Sequence, residues 1–386
     1  MKNFTTLKTG EVIETHAELI DGRYYATGKR TLYPGFIFIL DLTYNCTRRC
    51  SYCYAFNQNV DLLTMSETVF QKSLKWIEYI YGINKIGING LAFLGGEPLL
   101  ETPRIKRAMD FVVNLDPKFV GMLFTNGDLI DSVNWSDLQD INLFFMNVCD
   151  TDIDELLKRM LIVKNNTHKV QNQTLVITMD DFNLARTEEL VYAGLDNFYR
   201  LRIYREMYKL KEDGYLDKLL KSYNKVCDIF ETYVGKGYDV QTDSLFDMLV
   251  PYWNKGFDGN RVSPYVCGRG FATIHPDGSV GACIRNQTKS CGTIDQLDRS
   301  SYLDDFFENR LSRKKIPQEC FECPVRNECS GGCPNDKLIH TGTNIGKSML
   351  CSVHKEIIPR LQKIESLKRD YIKSGKQFVV SQNNVK

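Results

Sequence analysis

Cys46, Cys50 and Cys53 carry the strongest chemical signal in the chain. Their spacing, Cys-x3-Cys-x2-Cys, offers three thiolates from one short loop. A cubane iron–sulfur cluster has four irons and ordinarily takes four thiolates, so a compact set of three leaves one iron open to a substrate or cofactor. Zinc is the competing use of such thiols. It wants a fourth nearby ligand, and the nearest histidines, His16 and His168, are not at ligand spacing.

A second field lies downstream. Cys267-x10-Gly278-x4-Cys283 precedes Cys320-x2-Cys323-x5-Cys329-x3-Cys333, and Cys351 follows. Cys291 is an additional thiol within this stretch. Taken in isolation, the Cys-x2-Cys-x5-Cys-x3-Cys run also suits a zinc ribbon. Cys149 and Cys227 stand alone. A lone cysteine at a strand end reads first as a small buried hydrophobe; beside a reactive centre, Cys149 could instead donate a hydrogen atom or proton.

Apolar runs of strand length at 36–42, 88–94, 119–125, 142–149, 174–179 and 198–204 alternate with amphipathic segments at 65–82, 103–114, 151–163, 184–193 and 215–235. This alternation predicts an α/β fold with a parallel sheet and right-handed crossovers. In such sheets the chemistry gathers at the carboxyl ends of the strands, and the cysteine loop starts where 36–42 stops. Four more segments fall at strand ends: Leu94-Gly95-Gly96-Glu97-Pro98, Phe124-Thr125-Asn126-Gly127, Asn147-Val148-Cys149-Asp150 and Leu201-Arg202-Ile203-Tyr204-Arg205. Paired glycines let backbone approach a ligand closely. A guanidinium offers two parallel donors to a carboxylate, although strand alternation turns one of Arg202 and Arg205 away.

Five regions are expected: a β-hairpin-like extension (1–34), the α/β core (35–240), a bridge (241–266), the cysteine-rich segment (267–351), and a charged helix with a polar tail (352–386). The 49 basic and 48 acidic residues of this 386-residue chain leave a net charge of +1. No global field then draws in nucleic acid or anionic membrane. The N-terminus lacks an apolar signal region, and no apolar run reaches the roughly 18–20 residues a bilayer requires. Thirteen cysteines without a secretion signal point to thiolate ligands in a reducing, cytoplasmic setting.

The first cysteine motif, with Tyr52 before its last cysteine and Gly-Gly-Glu-Pro after the second strand, resembles the radical S-adenosylmethionine (SAM) enzymes. That resemblance implies a partial (β/α)6 TIM-like barrel whose open iron chelates SAM. It also implies SAM contacts from Gly95, Gly96, Glu97 and Pro98, with Thr125 and Asn126 facing the cofactor. Asn147 and Asp150 stand where relatives often carry Ser-x-Asp near the ribose; Arg202 and Arg205 are the candidates for the SAM carboxylate. The second field resembles the SPASM extension of this family. By that likeness Cys320, Cys323, Cys329 and Cys351 hold one auxiliary cluster, and Cys267, Cys283 and Cys333 hold another. The fourth position of the latter is either Cys291 or open to substrate.

The implied cofactors are SAM and three 4Fe-4S clusters. The implied activity is hydrogen abstraction by a 5′-deoxyadenosyl radical and oxidative modification of a peptide or protein side chain, such as cross-linking during maturation of a ribosomally made peptide. A flavodoxin- or ferredoxin-type electron donor would be needed. Residues 1–34 are too few for the leader-recognition domain of some relatives, so a separate recognition protein is expected, or else substrate contact by aromatics of the 207–265 stretch, Tyr208, Tyr215, Tyr252, Trp253 and Phe257. These aromatics also read as core. Two alternatives remain: oxidation of a small alcohol or sugar, and a scaffold that uses metal only for folding. Ile284 occupies the place of the acidic residue in sulfatase-maturing relatives, and Asp277 lies in a Pro-Asp-Gly turn signature.

Overall fold

The computed structural model describes residues 2–6, 12–20, 23–26, 36–57, 61–83, 89–166, 172–197, 199–242, 271–281, 283–285, 290–296, 318–320, 322–329, 332–342 and 346–378. Near the N-terminus, β1 (Lys2–Thr6), β2 (Val12–Ile20) and β3 (Arg23–Ala26) form an antiparallel three-stranded sheet.

The main sheet is built on β4 (Ile37–Asp41), β5 (Gly90–Leu94), β6 (Val120–Thr125), β7 (Ile141–Val148), β8 (Asn172–Met179) and β9 (Arg200–Arg205), parallel and in chain order. This is the sequential arrangement of an open (β/α)6 barrel. Strands covered on both faces must be apolar nearly throughout, and β4 reads Ile-Phe-Ile-Leu before its terminal Asp41. Leu40, Phe93 and Leu123 align in register and are fully buried. On the opposite face, Phe124 stacks on Phe145 at 4.1 Å, and Asn147, Val176 and Arg202 align across β7, β8 and β9.

The crossovers carry α2 (Glu67–Ile83), α3 (Thr102–Leu115), α4 (Ile153–Asn166), α5 (Asp181–Ala185) with α6 (Thr187–Asp196), and α7 (Tyr215–Gly235), while a single turn, α1 (Tyr54–Asn57), follows the cysteine loop. Charge placement favours α4, which has Asp154 and Glu155 in its first turn and Lys164 in its last.

Six strands are not the whole sheet. β10 (Phe271–Ile274) pairs in parallel with β4, placing Phe271 opposite Ile37 and Ile274 opposite Leu40. It continues through β11 (Ser279–Gly281) to β12 (Ser290–Thr293) in antiparallel fashion, for nine strands among the described residues. The cysteine-rich segment therefore adds strands to the core sheet at the β4 edge. Beyond it come α8 (Arg326–Cys329), α9 (Pro334–Thr341) and α10 (Cys351–Lys373). The last packs along α7, where Arg360 bonds Asn224, Asp228 and Glu231. Among the described residues, no helix is long and apolar enough to cross a membrane.

Candidate cofactor site

Beyond Asp41 the chain leaves β4 and forms the cysteine loop. The Gly-Gly-Glu-Pro turn after β5 presses directly on it: the Gly96 amide donates to the Thr43 carbonyl at 2.7 Å and the Glu97 amide to the Asn45 carbonyl at 2.8 Å. A Cβ on Gly95 would sit 2.4 Å from the Thr43 oxygen, and one on Gly96 would sit 2.1 Å from the Asn45 oxygen. Gly95 also holds a φ of +116°, a conformation glycine reaches without strain. The two glycines are thus required because two backbones touch.

Cys46, Cys50 and Cys53 are partly exposed on this loop. Among the described residues, no three His, Cys, Asp or Glu side chains converge on a point that a single metal ion could occupy. A cubane needs no such convergence, because each thiolate serves a different iron. The Arg48 amide and the Asn126 Nδ2 point donors at the Cys46 sulfur from 3.4 and 3.5 Å, and such donors favour a thiolate. Burial raises the pKa of Cys46 and Cys53, so cluster binding has to displace their protons. The chemistry of this donor set fits a three-thiolate cluster.

The Glu97 side chain turns inward, away from the cysteine loop's exposed rim. It is fully buried and accepts hydrogen bonds from the Leu99 amide (3.0 Å), the Thr125 hydroxyl (2.8 Å) and the Asn126 amide (2.9 Å). Burial pushes its pKa up to about 7 against those bonds. Thr125 is likewise consumed internally, donating to Glu97 and accepting from the Gly127 amide. Both side chains staple the β5 and β6 loops together. Asn126 lies nearer the candidate centre, bridging Cys46 and the Thr47 hydroxyl.

Residues the sequence reading passed over complete the rim. Arg48, between the first two cysteines, bonds Asp128 through Nε and Nη2, and Asp150 through Nη1. Arg159 from α4 adds a third arm to Asp128 at 2.7 Å. Burial opposes ionisation of Asp128, yet Arg48, Thr47 and Arg159 overcome it and hold its pKa down to about 2. Asp150, with its side chain 80% exposed, is an outer partner of Arg48. An arginine inside the cysteine spacing was the signal available for this network.

Cys149 is buried, with its sulfur 3.5 Å from that of Cys50 and 3.2 Å from the Tyr52 hydroxyl. Cys50 donates to it, which lowers the Cys149 pKa and raises that of Cys50. Arg202 stacks over Phe145 at 5.0 Å on the face that carries Asn147. Arg205 does not join it. Three residues on, it points through the opposite face and forms a buried two-pronged pair with Asp336 of α9. Its guanidinium is committed to that carboxylate, and its role is to fasten the extension to β9.

A further link joins β4 to β10. The His275 Nδ1 lies 2.7 Å from the Tyr44 hydroxyl and 3.1 Å from Asp41 Oδ2, all buried. Asp277 caps the following turn by accepting from the Ser279 amide, and Gly278 takes a φ of +84°. Tyr215 is core, its hydroxyl donating to the Met179 carbonyl; Tyr252, Trp253 and Phe257 lie outside the described residues.

In the second field, Cys320 feels the thiols of Cys351 and Cys323, and Cys333 feels that of Cys283. Cys329 lies 3.0 Å from His354 Nδ1, one turn beyond Cys351 on α10. The structure therefore brings Cys320, Cys323, Cys329 and Cys351 to one place and Cys283 and Cys333 to another. Cys267 and the Cys291 side chain lie outside the described residues. Cys227 is a buried thiol of α7 whose pKa is pushed up to about 12 by burial.

Comparison with known proteins bears on the fold and on the stretch that carries the first cysteine loop. A family model described as a 4Fe-4S single cluster domain matches residues 34–176. The radical SAM cyclopropyl synthase TigE of Paramaledivibacter caminithermalis is 22% identical over 327 residues, which cover 75% of this chain and 65% of TigE. The chain thus matches just under two thirds of that relative's length. Native anSMEcpe with bound AdoMet and a Cp18Cys peptide superposes with a TM-score of 0.67 at 16% identity, covering 87% of this chain and 99% of that one. Histidine-tagged anSMEcpe with bound AdoMet gives the same TM-score and identity, again over 87% of this chain and over 100% of its own. Three loop cysteines and the Gly-Gly-Glu-Pro turn thus lie within the stretch matched by the 4Fe-4S single cluster model, on a fold shared with the anSMEcpe structures.

Proposed function

We propose that the chain oxidatively modifies a side chain of a peptide or protein, in the manner of RiPP maturation, after abstracting a hydrogen atom from it. The observation that carries this reading is the seam between Thr43–Asn45 and Gly96–Glu97, which makes the cysteine loop and the glycine turn one rim at the carboxyl end of the sheet. A 4Fe-4S cluster held there would supply, when reduced, the electron for reductive cleavage of SAM to methionine and a 5′-deoxyadenosyl radical.

The protein's own contribution is binding and orientation. Cys46, Cys50 and Cys53 would each hold one iron. The backbone of Gly95 to Pro98 would meet the SAM amino group, Arg202 its carboxylate, and Asn147 its ribose. Asp128, held ionised by Arg48 and Arg159, keeps the loop between Cys46 and Cys50 in place. Cys320, Cys323, Cys329 and Cys351 would hold a second cluster, and Cys283 and Cys333, with Cys267 and Cys291, a third. An electron leaving the substrate radical could pass to these sites, which would complete an oxidation.

The peptide substrate is supported by the bound peptide in the anSMEcpe structure, and the radical chemistry by the name of TigE, a radical SAM cyclopropyl synthase. A flavodoxin- or ferredoxin-type donor would supply the first electron. The test is anaerobic reconstitution followed by dithionite and SAM. We expect 5′-deoxyadenosine, and a two-hydrogen mass loss in a short peptide encoded beside the gene. Turnover dependent on a sugar or small alcohol instead would replace the peptide reading with a dehydrogenase.

A further inference from the structure

Lys337 is among the largest fully buried side chains of the molecule, at 1% exposure. A buried lysine needs a compensating charge, or it gives up its proton. Among the described residues, its ammonium donates to one neutral acceptor, the Gly346 carbonyl oxygen at 2.9 Å. Asp336, the adjacent acid, is already matched by Arg205. Burial pulls the Lys337 pKa down, and the groups that push it back are, in order, Cys333, Cys320, Cys329 and Asp336. Among the described residues, with Asp336 spoken for, the negative charge that acts on this ammonium is that of the cysteine sulfurs.

Those sulfurs come from both groups. Cys320 lies with Cys351 and Cys323, Cys329 packs with Cys323 and meets His354 one turn beyond Cys351, and Cys333 lies with Cys283. Cys333 caps α9 one turn before Lys337, so helix geometry sets the lysine on the same face as Cys333, and the thiols of Cys320 and Cys329 act on it as well. Iron–sulfur clusters on thiolates are anionic, and each becomes more negative on reduction. A fixed cation nearby therefore favours the reduced form.

We propose that Lys337 is a positioning residue whose ammonium serves as a shared counter-charge for the two C-terminal clusters and raises the reduction potential of both. This inference rests on the reading of the second cysteine field as cluster ligands. It adds an electrostatic setting for their electron transfer that the cysteine spacing does not contain.

The test uses full-length protein with Cys46, Cys50 and Cys53 replaced by Ala, so that only the C-terminal clusters report. It compares Lys337, Lys337→Met and Lys337→Arg after anaerobic reconstitution. The readouts are iron, acid-labile sulfide, and potentials from titrations followed by electron paramagnetic resonance. Lys337→Met should load normally and titrate at lower potential, with Lys337→Arg restoring the parent value. Normal loading with unchanged potentials in Lys337→Met overturns the proposal. If Lys337→Met fails to load, loading of Lys337→Arg supports a need for charge, whereas failure of both shows a need for lysine's shape and overturns it. Absence of labile sulfide in the parent protein would instead refute the cluster reading itself.

Discussion

The sulfur of Cys50 lies 3.5 Å from the sulfur of Cys149, although 99 residues separate them in the chain. One is a proposed cluster ligand and the other is not. In cluster-free protein the more acidic Cys149 is placed to capture Cys50 once an oxidant removes two electrons. Diamide, which takes up those electrons and the two thiol protons, should yield a Cys50–Cys149 linked peptide on non-reducing mass spectrometry. Cys149→Ser should abolish that peptide and improve reconstitution after oxidation. Linkage within the Cys46–Cys53 loop instead would contradict this contact.

Gly96→Ala places a methyl group within 2.1 Å of the Asn45 carbonyl oxygen, a backbone atom that cannot rotate away. The seam between the two loops must then open. We expect at least a tenfold loss of SAM cleavage and reduced iron at the first site. Gly82→Ala, where nothing lies within 4 Å, is the control and should be neutral or stabilising by up to about 1 kcal/mol. Equal activity in both variants would remove the seam from the mechanism.

Glu97 gives a pH dependence with a definite sign. Its folded pKa of about 7 lies above the ordinary value of 4.5, so its contribution to stability is complete below pH 4.5 and is lost as pH rises through 7. Glu97→Gln removes this titration but turns an amide toward the Asn126 N–H, costing about 1–3 kcal/mol. Denaturant melts should therefore show a larger wild-type advantage at acid pH than above neutrality. A constant difference across the range would show that Glu97 does not titrate there.

Arg205 and Asp336 pair at 2.5 Å with both side chains buried. Removing either alone strands a charge, at a cost of about 3–5 kcal/mol. Arg205→Met should lower the melting temperature sharply, and adding Asp336→Leu should recover much of the loss. SAM affinity in the double variant should match the parent. A selective loss of SAM binding would return Arg205 to the cofactor.

β4 and β5 were legible because they are buried on both faces and read as apolar runs, whereas β9 (Arg-Leu-Arg-Ile-Tyr-Arg) showed itself by alternation. β4 was expected at 36–42 and spans Ile37–Asp41; β5 was expected at 88–94 and spans Gly90–Leu94. The contacts between loops were legible only as motifs. Gly-Gly-Glu-Pro announces a ligand turn, but which face the glutamate takes depends on Thr125 and Asn126, which approach it from another strand. Arg205 meets a partner 131 residues away, and no periodicity encodes that distance. The addition of β10 beside β4 was hidden for a related reason. A four-residue strand has too few positions to show which edge it will join.

That addition has a consequence for anyone dissecting the protein. β4 is flanked on one side by β5 and on the other by β10, which arrives from beyond residue 270. A fragment ending in the 243–270 stretch would bare the hydrogen-bonding rim of the very strand that feeds the cysteine loop. Exposed rims of this kind recruit neighbouring chains, so the amino-terminal portion expressed alone should self-associate. The two halves are best regarded as one inseparable body.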